Sequence, residues 1–450
     1  MVPQPEEMGT LTFFARRMAD AEKCNNLSRL GVGQPSREKG ECPHFLAYAS
    51  AVRSRCHILL LTLGALAAAG CAGRAPQPAT PAAVPAPSPW AIAATVHLEL
   101  VALDVLPTGD GLPGDLGFRV GGLSGCVVDP ATGHTLVVSD DRNRPRVFAL
   151  DIRVDDEALS VSVANVVTVE DRNMSAAGRQ VIDMEGIVAV GPGQWLISSE
   201  GDEDGDETMP PAITRHGVDG ALTDWLDVPD TFLSARASTV PRGVHANQGL
   251  ESLTRTPDGR VFTAAEGPLV QDGELPDVGT SALIRLLEYV PAGDTWRPAR
   301  QFAYAVSPVV LPDGFGPSAL STGVAELLAL DDERLLVLER SYIAEQGATR
   351  RGLNIIRIYE VSTRDADDVS SLGSLRGRPV RPLDKRLVLD LDALKPRLAN
   401  ELPTLENFEA MCYGPRLADG SATLLLVSDN NFNRRQKTAF LLFRMKQGRT

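Results

Sequence analysis

Acids recur in pairs along this chain, and the spacing of the pairs is what could do chemistry. Glu185, Glu251, Glu326 and Glu409 stand in the short clusters DMEGI, NQGLESL, GVAELL and NFEAM. Each is followed by an apolar run, a tight turn and a second apolar run. That second run ends in another acid: Glu200, Glu266, Glu339 and Asp429. A fifth copy opens on Ser124 instead and ends on Asp140, with Asp141 next to it. A strand–turn–strand unit returns its two ends to the same side. Both acids of each copy are therefore expected at one edge of the fold, nine carboxylates in all. Such crowding is unfavourable unless some groups stay protonated or a cation binds. Hard oxygen donors suit Ca²⁺, which takes ~6–8 oxygen ligands in flexible geometry. The metal set expected on this ground is Asp140, Asp141, Glu185, Glu200, Glu251, Glu266, Glu326, Glu339, Glu409 and Asp429. The bland alternative for any one acid is a turn cap or a backbone acceptor at a strand end.

Other chemistries are poorly served. There are 6 His and 6 Cys, with no HExxH and no CxxC, so zinc and dithiol chemistry are not expected. Ser124 lies in GGLSGC rather than GxSxG, which argues against a nucleophile elbow. Arg142 and Arg340 directly follow second acids, in SDDR and LERS. They are candidates to offset developing negative charge, the alternative being ordinary surface ion pairs. Arg434, Arg435 and Lys437 in NNFNRRQK have the same standing. A formal net charge of −14 argues against nucleic acid as a partner.

Short apolar runs bounded by Gly, Pro and Asp fill the chain from about residue 97, and the paired acids repeat with them. A third strand follows in every copy and a fourth in four of them. This predicts an all-β fold: a β-propeller of five four-stranded blades, with a degenerate sixth as the open alternative. The fifth copy has no fourth strand of its own. VHLELVALDVL, before the first copy, is expected to pair with the last repeat and close the ring. Cys126 and Cys412 fall on the first strands of blades 1 and 5, which closure makes neighbours. They either meet as a disulfide or remain two buried thiols.

The N-terminal fifth reads as processing rather than fold. Residues 52–71 combine Arg53 and Arg55, a short apolar run and Ala68-Ala69-Gly70-Cys71. This pattern resembles a lipoprotein signal with lipidation at Cys71, too short to span a ~30 Å hydrocarbon core. Residues 1–51 do not fit before such a signal, so translation is expected to begin near Val52. Residues 72–94 are a Pro/Ala-rich tether, and residues 95–450 are the propeller. The expected location is the cell envelope, anchored by lipid at the outer membrane, with the chain a monomer.

DMEGI, NQGLESL, AAEGPL, GVAELL, LVLERSY and NFEAMCYGP with VSDNNF together resemble the phytase-like family and its esterase-like activity. The resemblance covers about residues 97–446. It implies an extracellular, calcium-dependent phosphate-ester hydrolase on a β-propeller. It also implies that Glu185, Glu251, Glu326 and Glu409, with Arg142 and Arg340, do the chemistry on a phosphate ester or other anionic small molecule. The competing expectation is a non-catalytic surface lipoprotein that binds a ligand or partner, its calcium purely structural.

Overall fold

A computed structural model describes residues 95–447, apart from 107–118, 156–157, 170–181, 202–208, 235–240, 312–314, 316 and 346–351. The predicted leader, Cys71 and the tether lie outside the described residues, as does the acidic run 202–207.

The described strands form five four-stranded antiparallel sheets, the blades of a β-propeller. The first strands are Leu123–Val128, Met184–Gly191, Thr254–Arg255, Pro317–Ala329 and Asn407–Tyr413. Each touches the first strand of the next blade, and the last touches the first, so they form a closed inner ring. The second strands are Thr135–Ser139, Gln194–Ser199, Val261–Ala264, Arg334–Glu345 and Thr423–Asp429. Apart from the second half of Arg334–Glu345, they are largely apolar and buried, because both of their faces pack against neighbouring blades. Leu336, Leu338, Phe408, Leu424 and Leu426 share one such inter-blade core.

The fourth strand of blade 5 is Val96–Val105, paired antiparallel with Ala439–Gln447. The chain thus closes its ring with the N-terminal segment predicted for that place, and no unpaired edge is left inside blade 5. A second closure is covalent. Cys126 of blade 1 and Cys412 of blade 5 form a disulfide, their Cα atoms 5.6 Å apart.

Every blade shares an irregularity at an equivalent place, and blades 2 and 4 carry a second one elsewhere. The ladder between first and second strands slips by one residue, near its start in blades 1, 2 and 5 and between Val324 and Glu326, in mid-ladder, in blade 4. In blade 3 the same slip lies between the Leu250–Ala265 bridge and the Thr254–Phe262 pair. Such a bulge re-aims a side chain, and here it repeats around the channel.

Candidate metal centre on the propeller axis

The bulge gives the blades an exact common register in place of the approximate one legible from motifs. The pairs that precede it are Leu123–Ser139, Met184–Ser199, Leu250–Ala265, Val324–Glu339 and Phe408–Ser428. The next residue on the first strand is Ser124, Glu185, Glu251, Ala325 or Glu409. The residue after the second-strand partner is Asp140, Glu200, Glu266, Arg340 or Asp429. Blade 4 therefore places no acid at either ring position.

Glu326 and Glu339 each sit one residue out of phase, and alternation turns them away. Glu326 Oε1 accepts from the N–H groups of Leu253 at 3.1 Å and Leu327 at 3.0 Å. It pins blade 4 to blade 3. Glu339 accepts from Tyr304 Oη at 2.6 Å, from the Ser307 N–H, and from Lys385 Nζ at 2.5 Å. Lys385 lies over the rings of Tyr304 and Tyr359, so this is a cluster on the flank of blade 4. Asp141 also turns aside, pairing with Arg146 at 2.8 Å and capping the Asn143 N–H. The structure brings these three together with neither the other ring acids nor one another. Arg434 and Arg435 are exposed, and Lys437 Nζ donates to the Glu401 carbonyl at 2.6 Å.

The rest converge. Asp183, Glu185 and Glu200 bring carboxylate oxygens within 4.8 Å of one another, and so do Glu200, Glu251 and Glu266. Glu200 belongs to both groups. It is 3 % exposed, and its Oε1 is buried with no hydrogen-bond partner. Burial, compounded by Asp183 and Glu266, pushes its carboxyl up to about 8. Burial and like charge raise Glu185, Glu251 and Asp140 well above the carboxylate range. Burial also lifts Glu266 to about 7, against the pull of Arg340, and Asp429 to about 7 beside Glu409. Asp140 Oδ1 and Ser124 Oγ are buried without partners as well.

Neighbouring amides hold several acids in place. Gln248 Nε2 donates to Glu266, and Asn407 Nδ2 donates to Glu409 Oε1 at 2.9 Å. Asp429 Oδ1 accepts from the N–H groups of Leu123 at 3.2 Å and Asn431 at 2.8 Å, joining blade 5 to blade 1. Asp183, like Asn407, stands two residues before its bulge acid, and it pairs with Arg142. Arg142 also reaches Asn247 Oδ1 at 3.4 Å and is 37 % exposed, so it marks the wet side. Asn247 has φ +55°, a conformation that asparagine tolerates better than most residues. Burial lowers the His245 imidazole below its ordinary value, against the pull of Glu274.

Sequence reading missed Gln248, Asn407 and the phase of blade 4. A signal for the last was present. Positions 185 to 200 and 251 to 266 are 15 apart, whereas 326 to 339 are 13 apart; 325 to 340 restores 15.

Buried hard oxygens, several of them lacking partners, are a donor set suited to a divalent cation. A model of the phytase-like family, described as "Esterase-like activity of phytase", matches residues 119–432. The chain belongs to the phytase-like family. No curated protein matches this phytase-like sequence. Two solved structures similar to it are distant. One is a mannose phosphorylase, MPT-4, from Leishmania mexicana, in complex with phosphate ion. It is 10 % identical with a TM-score of 0.34, covering 77 % of this chain and 88 % of its own. The other is a member of the duf4221 family from Bacteroides vulgatus. It is 8 % identical with a TM-score of 0.33, covering 78 % and 99 %.

Proposed function

We propose that this phytase-like protein is an exported, calcium-dependent phosphoester hydrolase that works at the carboxylate ring. The observation that carries the reading is the pair of three-carboxylate groups sharing Glu200, with its buried, unpartnered oxygen. Asp183, Glu185, Glu200, Glu251 and Glu266 would hold the cation. When bound, Ca²⁺ supplies charge compensation and polarises a phosphoryl or ester oxygen. Arg142, at the exposed edge, meets an anionic substrate as it enters. Blade 1, on which Arg142 stands, carries Ser124 where blades 2, 3 and 5 carry Glu, so Asp140 is the one carboxylate it places at a ring position. Asp429, lifted to about 7 and oriented by two backbone N–H groups, can take up a proton near neutral pH.

The substrate class is a small phosphate ester, and the chain acts as a monomer without nucleic acid. The pattern at 52–71 supports export and lipid attachment at Cys71 to the outer membrane. The Cys126–Cys412 disulfide suits an oxidising compartment. Replacing Cys71 by Ala should release the protein from membranes; membrane association that survives the change would count against the anchor.

One observation favours a second reading, a non-catalytic propeller with structural calcium. Glu266 and Asp429 are each only 1 % exposed. Hydrolysis of p-nitrophenyl phosphate and phytate, with calcium and with chelator, separates the two. The first reading predicts turnover that chelation abolishes. Calcium-dependent melting with no turnover on either ester supports the second and excludes the first for those substrates.

A further inference from the structure

Blade 4 is the exception in the ring, and the exception is systematic. Its bulge residue is Ala325, 4 % exposed within the inter-blade core. The residue after its second-strand partner is Arg340, inside Arg334–Glu345, where the other four blades place Asp140, Glu200, Glu266 and Asp429. The guanidinium is 11 % exposed. Its Nη2 lies 2.8 Å from Glu266 Oε1 of blade 3, and its Nε lies 3.2 Å from Glu409 Oε1 of blade 5. It therefore bridges the two neighbours of a blade that contributes no acid. The three-carboxylate groups begin at Glu266 itself, which therefore faces both them and Arg340, and continue through Glu251 and Glu200 to Glu185 and Asp183.

We propose that Arg340 is a tethered cation. It occupies the blade 3–blade 5 side of the ring and confines exchangeable calcium to the blade 2–blade 3 arc. The inference rests on the calcium reading above. It makes Arg340 a positioning residue, in contrast to the sequence-based expectation that it acts on substrate directly. The physical reason is charge: a guanidinium between two buried carboxylates both stabilises them and repels a metal ion. Removing it leaves Glu266 and Glu409 without their counter-ion, a vacancy that a hard cation can fill.

The test is calcium titration of chelator-stripped full-length protein by calorimetry, with melting followed in calcium and in chelator. Arg340→Gln should bind one more calcium per chain than the unaltered protein, and its calcium-induced rise in Tm should at least double. Arg340→Lys should keep the original number. The double variant Arg340→Gln/Glu409→Gln, which removes one charge of each sign, should also keep it and should fold in chelator. An unchanged ion count in Arg340→Gln overturns the proposal, as does failure of that variant to fold even in saturating calcium, or an extra ion in either control. Calcium binding by Arg340→Gln alone, with none by the unaltered protein, would uphold the role of Arg340 while removing the cofactor reading. No binding by any form removes both.

Discussion

Two glutamates that look alike in sequence have opposite duties. Glu200 offers an unpartnered buried oxygen to the ring, whereas Glu326 spends one oxygen on two backbone N–H groups. Glu200→Gln should therefore weaken calcium binding at least tenfold with little loss of stability. Glu326→Ala should leave calcium affinity unchanged and cost about 1–3 kcal/mol, because it orphans buried N–H groups. Calorimetric titration and denaturant melts of both variants check this contrast. The ring also sets a pH dependence. Glu200, Glu266 and Asp429 titrate at about 8, 7 and 7 in the fold, above ordinary values of 4.5, 4.5 and 3.8. Between those limits the folded chain holds protons that the unfolded chain has released, so stability falls as pH rises. The calcium-free protein should lose Tm steadily from pH 5 to pH 8. Saturating calcium should flatten that slope; a calcium-free protein more stable at pH 8 than at pH 5 would contradict the picture.

The elements show why part of the site was legible and part was not. Paired acids at repeated spacing announced hairpins returning to one rim, and seven of the nine predicted carboxylates meet there. Glu326 and Glu339 do not, because a strand has period two and a one-residue slip reverses the face. No residue type in GVAELL reveals that the bulge falls on Ala325; the one trace of it in the sequence is the 15-residue spacing from 325 to 340, and the ladder establishes it. The same applies to Gln248 and Asn407, whose hold on Glu266 and Glu409 depends on loop paths that composition does not encode. Close backbone approach between blades is likewise a three-dimensional fact. A Cβ at Gly323 would lie 2.3 Å from the Glu266 carbonyl oxygen and 2.5 Å from Glu266 Cγ. Gly323→Ala should cost about 1–3 kcal/mol by overpacking. It should also weaken calcium binding, since the clash displaces a ring acid. A stable variant with unchanged affinity would show that the blades slide past one another freely enough to absorb the clash.

At the scale of the whole molecule, the two ends of the fold are joined twice near the same seam. Val96–Val105 completes blade 5 by hydrogen bonds, and Cys126–Cys412 ties blade 1 to blade 5 across 286 residues. A cross-link over so long a loop restricts the unfolded chain strongly, and its loss should cost about 2–5 kcal/mol. Melting of Cys126→Ser/Cys412→Ser against the oxidised protein checks this, with calcium affinity expected to persist because both cysteines lie in an apolar cluster. Closure was legible because the last repeat lacked a strand and the first was preceded by a spare one. The ring it encloses is uneven: acids dominate blades 2 and 3, an arginine stands on blade 4, and a serine leaves blade 1 without a carboxylate at its bulge. The measurement that tests this account most directly is calorimetric titration of chelator-stripped protein with Ca²⁺ beside Glu200→Gln. The account predicts saturable binding with a matching rise in Tm, both largely lost in the variant. Absence of heat and of any Tm shift in the unaltered protein, or binding unaffected by Glu200→Gln, would contradict it.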